Sequence, residues 1–355
     1  MTVVPQIINS RRHRNNKSRR SFSRRVSLFV LGFGIILSLL ISITIIGITV
    51  LYAGFTQDLP SPEIIPLLLE PPHGKLLQPT TLLDRSGEKP IAILEYPSSN
   101  KKRYLTIQGD NPNHIPSRVV NATIAAEDPD FWTHQGFSWD GIPEGGHPTL
   151  AQKIVSENLL WAEPPSIQRS IKERLLAAQI TSLYGREKIL EWYLNSADYG
   201  QLAYGVDAAA RTYFGKPATK LDLAEAAVLA VTAISPSLNP IDAPLIVLEY
   251  KDVILQEMFN HEMISRIQLQ RALNQKLVFQ PAQDLTLDIA PEFTNLVLEQ
   301  ISQHFPLDRV LRGGLNIVTT LDYDLQLQAA CTTAVQIARI NNAPDNDFTG
   351  QIPED

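Results

Sequence analysis

Apolar and polar positions alternate with a different rhythm in each part of the chain. Residues 26–57 are thirty-two positions without a charged side chain, crowded with Ile, Leu, Val and Phe. A helix of about 20 such residues crosses a bilayer, so residues 26–55 are expected to form a transmembrane anchor. A secretory signal is the competing reading, but its apolar core runs only about 7 to 15 residues. The next stretch, 56–79, holds Pro60, Pro62, Pro66, Pro71, Pro72 and Pro79. That density resists helix and predicts a stiff, extended spacer. Between residues 80 and 96, β-branched and aliphatic runs flank Asp84-Arg85-Ser86-Gly87, which predicts a small hairpin.

From residue 116 to 243 apolar positions recur at spacings of three and four, the helical period. Helices are expected over 116–131, over 166–183 with Ile167, Ile171 and Leu175 as its apolar stripe, over 187–194, and over 222–234. The last opens with Asp222 and Glu225 as a capping box and stops before Ser235-Pro236. Residues 247–275 add more helix, 313–320 alternate as a strand, and 341–355 read as a polar end. The expected organisation is a basic tail (1–25), the anchor (26–55), the spacer (56–79), a mainly α folded domain (80–245), a helical connector (246–310), and a linker with its polar end (311–355).

Charge sharpens this picture. Eight of the 31 Lys and Arg residues fall within residues 1–25, while all 37 acids lie from Asp58 onward. By the positive-inside rule the N-terminus is expected in the cytoplasm, with everything after about Ala53 outside. A nucleic-acid arm is the other use for such a tail, but the adjoining span accounts for the charges, so no nucleic-acid partner is expected. The single cysteine, Cys331, excludes an internal disulfide framework and a CxxC metal site, and is expected to pack.

Three groups of polar residues could carry chemistry. Glu127 and Asp128 end an apolar helix, with Phe131, His134 and Gly136 following. A carboxylate desolvated at such a place is suited to general-base work, although an acidic pair by a helix end is more commonly a solvated cap. Arg169, Lys172 and Glu173 share a helix face, where two cations could clamp a diphosphate, or where Arg169 and Glu173 could form an ordinary surface ion pair. Gly145-Gly146 precede Thr149, Gln152 and Lys153 at a helix entry, which could receive an anion.

Taken in order, these pieces resemble the peptidoglycan glycosyltransferase domain of class A penicillin-binding proteins and their monofunctional relatives. Residues 127–136 fit E-D-x-x-F-x-x-H-x-G without a substitution, and residues 169–173 fit R-K-x-K-E with Ser170 in the second position. Residues 189–195 fit I-L-E-x-Y-L-N with Gly200 trailing; residues 205–216 and 223–227 fit the last block. Residues 290–293 and 313–322 are similar to the connector that leads to the transpeptidase domain of bifunctional members. Ser98-x-x-Lys101 and Ser156-Glu157-Asn158 match transpeptidase patterns only by chance, because both precede that connector and no Lys-Thr-Gly occurs in this sequence; no penicillin binding is expected. Two departures stand out. Only eight residues separate Gly136 from Gly145, where the family has a longer stretch, and the family's Ser-Thr-Ile-Thr-Gln-Gln becomes Pro148-Thr149-Leu150-Ala151-Gln152-Lys153.

The resemblance implies a lysozyme-like, mainly α fold that polymerises lipid II into glycan strands at the inner (plasma) membrane. On that basis Glu127 and Glu173 are expected as the catalytic acids, Glu127 as the base. Asp128, Phe131, His134, Gly136, Thr149, Gln152, Lys153, Arg169, Lys172 and Asn195 are expected to bind substrate. A divalent cation, Mg or Mn, is an implied helper and no organic cofactor is expected; other cell-wall synthesis proteins are implied partners. A non-catalytic scaffold that binds glycan or such partners is the rival reading. A lysozyme-like hydrolase, the third, gives no reason for a diphosphate clamp.

Overall fold

The computed structural model describes residues 29–50, 52–54, 58–98, 103–107, 113–140, 146 and 148–341. The basic tail 1–25, Lys101, Gly145, His147 and the polar end from residue 342 lie outside the described residues. The chain falls into two units, Met1–Leu59 and Pro60–Asp355. In the first, Phe29–Gly54 forms one helix (α1) with a mean hydropathy of 2.7, long and apolar enough to cross a membrane. Thr44 and Thr49 return their hydroxyls to the carbonyls of Leu40 and Ile45 at 2.9 and 2.8 Å. These bonds satisfy both hydroxyls within the helix itself.

The second unit is built on helices. Leu223–Ile234 (α8) is buried along nearly its whole length, as expected of a helix apolar all round. The predicted capping box is present, with Asp222 Oδ1 accepting from Glu225 N at 3.0 Å. Ser117–Glu127 (α3) and Pro244–Asn260 (α9) pack against α8. Leu150–Asn158 (α4) packs on Ile167–Tyr184 (α5) and on Arg186–Ser196 (α6). Val206–Phe214 (α7) ends at Gly215 in the left-handed region, and Arg266–Leu273 (α10) follows α9.

A small sheet closes the other side of this unit. Thr80–Leu83 (β1) and Pro90–Leu94 (β2) form the expected hairpin, where Asp84 Oδ1 accepts from Ser86 Oγ at 2.6 Å and from the Glu88 and Lys89 amides at 3.2 Å. The hairpin is half of a larger sheet. Leu287–Asp288 (β3) pairs antiparallel with β2, and Asn316–Val318 (β4) pairs parallel with β1, in the order β3-β2-β1-β4. Parallel neighbours require a long connection, which here runs through all the intervening helices. Pro291–Ser302 (α11) packs its Val297 against Leu82, Ile91 and Leu94 beneath the sheet, and Leu307–Leu311 (α12) leads back to β4.

Three expectations are corrected. The proline-rich stretch is not a bare extended spacer: Ile64–Leu69 (α2) is helical, its Ile65 and Leu69 are fully buried, and Trp192 Nε1 donates to Glu70 at 2.9 Å. Burying those two side chains offsets the poor helix propensity of the sequence, a tertiary override of a local signal. On α5 the buried face is Glu173, Arg174, Leu176, Ala177, Ile180 and Thr181, while Ile167 is 60% exposed. The stripe of isoleucines and leucine therefore does not mark the core side. Cys331 is exposed rather than packed, on Tyr323–Ile340 (α13), a helix with no buried residue.

Candidate active site

The site forms where three helix ends meet. Helix α3 is apolar inward until its last residue, Glu127, and the chain leaves it at Asp128. Glu127 is held from both sides. Tyr193 of α6 donates its hydroxyl to Oε1 at 2.8 Å, and the Lys153 ammonium of α4 pairs with Oε2. Only 3% of the Glu127 side chain is exposed. Burial, and after it the Glu127 charge, pushes the Tyr193 phenol well above its ordinary range. Tyr193 therefore remains a donor at any working pH.

Asp128 turns the other way. One oxygen meets His134 Nε2 at 2.8 Å, and the other accepts the Leu150 amide at the start of α4 at 3.1 Å. His134 Nδ1 accepts from the Gly136 amide at 2.9 Å, so in the neutral ring the proton sits on Nε2 and points at Asp128. Burial pushes the Asp128 carboxyl up, opposed by the bonds from His134 and Leu150. Phe131, 2% exposed, meets the His134 and Trp132 rings edge to face and pins the loop. Gly136 has φ +91°, and a Cβ there would stand 2.8 Å from the Ala177 carbonyl oxygen and against Thr181. Only glycine lets this loop lie so close to α5.

Helix α4 links Glu127 and Glu173. Thr149 caps it, accepting from the Gln152 amide at 3.2 Å while its hydroxyl lies 2.8 Å from the Gly136 carbonyl. Gln152 donates to Glu173 at 2.9 Å and accepts the Ser138 amide at 2.9 Å. Glu173 is 1% exposed. Two consecutive residues of one helix, Gln152 and Lys153, thus hold carboxylates that stand 46 positions apart in the sequence.

The cations meet partners within the protein. Arg169 donates to Ser156 Oγ at 2.8 Å and to the Leu160 carbonyl at 3.3 Å, and Lys172 pairs with Glu163 at 3.0 Å. No Arg169–Glu173 ion pair forms; the next cation along, Arg174, holds the Ser138 and Asp140 carbonyls at 2.8 and 2.7 Å. Asn195 bonds to neither Glu127 nor Glu173. It brackets Leu105, accepting its amide at 2.9 Å and donating to its carbonyl at 2.8 Å, in the manner of a strand partner. Among the described residues, no three His, Cys, Asp or Glu side chains gather as a metal site.

Sequence reasoning gave no role to Tyr193, Arg174 or Ser156. Tyr193 was findable in principle, since a tyrosine on the inner face of an apolar helix must place its hydroxyl on a partner. Arg174 and Ser156 carried no local signal.

The family described as Transglycosylase matches residues 93–259. Penicillin-binding protein 1A of Rickettsia prowazekii is 32% identical over 231 residues, 60% of this chain and 29% of that protein. Penicillin-binding protein 1A of Aquifex aeolicus is 30% identical over 324 residues, 87% of this chain and 42% of that protein. The crystal structure of Penicillin-Binding Protein 1A from Haemophilus influenzae aligns with 74% of this chain and 29% of that one at 21% identity, with a TM-score of 0.37, too loose a likeness to argue from. The chain thus spans less than half the length of these curated relatives. Every side chain of the site falls within the matched stretch, and residues 93–259 belong to the transglycosylase family.

Proposed function

We propose that this chain is a membrane-anchored peptidoglycan glycosyltransferase that polymerises lipid II into glycan strands, inverting the anomeric centre and releasing undecaprenyl diphosphate. The observation that carries the reading is the pair of buried carboxylates, Glu127 and Glu173, gripped by Gln152 and Lys153 of α4. A sugar hydroxyl is a poor nucleophile at neutral pH. Glu127 takes its proton as the oxygen attacks the anomeric carbon of the donor, whose bond to the diphosphate breaks on the opposite face. Tyr193 keeps Glu127 aimed, and Glu173, fixed by Gln152, orders the cationic side. The leaving diphosphate gathers charge, which Arg169 and Lys172 offset once Ser156 and Glu163 give them up. A bilayer-tethered donor suits an enzyme with α1 as its anchor, the N-terminus in the cytoplasm and the site outside.

A second reading has its own observation. Lys153 occupies Glu127 Oε2, and Lys172 is paired with Glu163, so the base and one cation are both engaged internally. A scaffold that binds glycan or other cell-wall synthesis proteins without catalysis requires no more than this. Incubating the purified chain with labelled lipid II in detergent, with and without Mg²⁺ or Mn²⁺, separates the two. Glycan polymer with release of the lipid diphosphate is the expected product; binding of lipid II without polymer under every ion supports the scaffold.

A further inference from the structure

Arg312 lies outside the stretch that matches the transglycosylase family, yet it reaches into the helices that build the site. It caps the C-terminal end of α12 with only 9% of its side chain exposed. Its Nη2 meets Glu157 at 2.5 Å and its Nη1 meets Asn158 at 3.4 Å, both at the end of α4. Its guanidinium also lies 5.8 Å from the centre of the Tyr204 ring, in the loop between α6 and α7. Burial works against the Arg312 charge, and Glu157, Tyr204 and Asp198 together outweigh it, so the group is held firmly protonated. In the same loop, burial pushes the Asp198 carboxyl up, and the Gly200 amide and then Arg312 oppose that rise. Next to it, Arg309 stacks 5.7 Å from the Trp161 ring, just beyond α4. A cation at the carbonyl end of a helix is favoured by the helix dipole.

The segment that carries Arg312 is itself fixed. The Gly314 amide donates to Gln78 O at 2.8 Å, the Thr81 amide to Leu315 O at 2.8 Å, and the Thr80 hydroxyl to Val310 O at 2.6 Å. Gly313, at φ +111°, lies so close to the Gln78 carbonyl that a side chain would collide with it. Arg312 is therefore a rigidly mounted fork between α4, which carries Gln152 and Lys153, and the loop that follows α6, which carries Tyr193. Those three residues are the ones that grip Glu127 and Glu173.

We propose that Arg312 is a positioning residue for the glycosyltransferase site, fixing α4 relative to α6 so that both carboxylates are held in register, and that the working catalytic unit therefore extends beyond residue 259 to include α12 and β4. Its catalytic part rests on the proposed function; its structural part does not. The full chain in detergent is compared as wild type, Arg312→Met and Arg312→Lys by backbone hydrogen exchange and by polymerisation of lipid II. Exchange of the α4 amides should quicken by roughly tenfold or more in Arg312→Met while α8 stays protected, and kcat should fall about 10- to 100-fold with a smaller change in KM. Arg312→Lys keeps the charge without the fork and should recover part of both effects. If Arg312→Met does not fold, Glu157→Gln, at a side chain that is 38% exposed, gives the same readout from the other partner. Unchanged α4 exchange in these variants overturns the proposal, as does quickened exchange with full kcat. A wild type that makes no polymer sinks the enzymatic reading instead and leaves the exchange comparison to decide the structural part.

Discussion

Lys153 stands where the resemblance expects a glutamine, and in the fold its ammonium meets the carboxylate proposed as the base. An anion ligand was the expected role for it. In this structure the pair holds Glu127 in place and occupies one of its two oxygens. Lys153→Gln replaces the ion pair on Oε2 with at most a weaker neutral hydrogen bond, so the polymerisation rate should stay the same or rise modestly in a lipid II assay. A large loss would show that the charge itself takes part. Asp128 offers a separate check through pH. Burial raises its carboxyl above the ordinary Asp value of about 3.9, so over the window just above that value the native state binds more proton than the unfolded one. Stability then falls as pH rises through the window. Asp128→Asn should abolish this fall in a series of thermal midpoints taken upward from about pH 4, while lowering stability by about 1–3 kcal/mol because its single oxygen can accept from His134 or from the Leu150 amide but not from both. The acids and the glycine were legible at this scale because their motif spacing is tight. The partner of each was not, because Tyr193, Lys153 and Gln152 reach the acids through tertiary packing rather than through neighbouring positions.

Elements were read best where local chemistry and packing agree. The capping box at Asp222, the hairpin turn at Asp84 and the helix over α3 each have their own residues to specify them. The stretch before the hairpin shows the reverse case. Its prolines argue for an extended chain, yet Ile65 and Leu69 are buried in a short helix that meets α6, a contact that no local pattern could disclose. Leu69→Ala should therefore cost about 2–5 kcal/mol in a denaturant titration, whereas a free spacer would lose almost nothing. Helix α5 misleads for a related reason. Its buried face carries Glu173 and Arg174, polar residues satisfied by Gln152 and by the loop at 138–140, and its most apolar stripe is only partly covered. That loop depends on Gly136. Gly136→Ala forces a side chain into a left-handed conformation against the Ala177 carbonyl, which should lower stability by at least about 1–2 kcal/mol, read as a lower thermal midpoint.

For the whole molecule, the long uncharged apolar run and the order of motifs made the apolar helix α1 and the family legible in advance. The joining of β4 to β1 was not, since a parallel pair separated by more than 200 positions leaves no signature in either strand. The proposed anchoring through α1 has its own test: a reporter fused after Asp355 should be active only on the outer side of the membrane, and activity in the cytoplasm would contradict the proposed topology. The central claim concerns Glu127. Glu127→Gln keeps the size of the side chain and an oxygen to accept from Tyr193, but removes the carboxylate that takes the proton. Polymer formed from lipid II in detergent by wild type and by Glu127→Gln should differ by about 10² to 10⁴ in rate with lipid II binding little changed; a wild type that binds lipid II but forms no more polymer than Glu127→Gln would contradict the account.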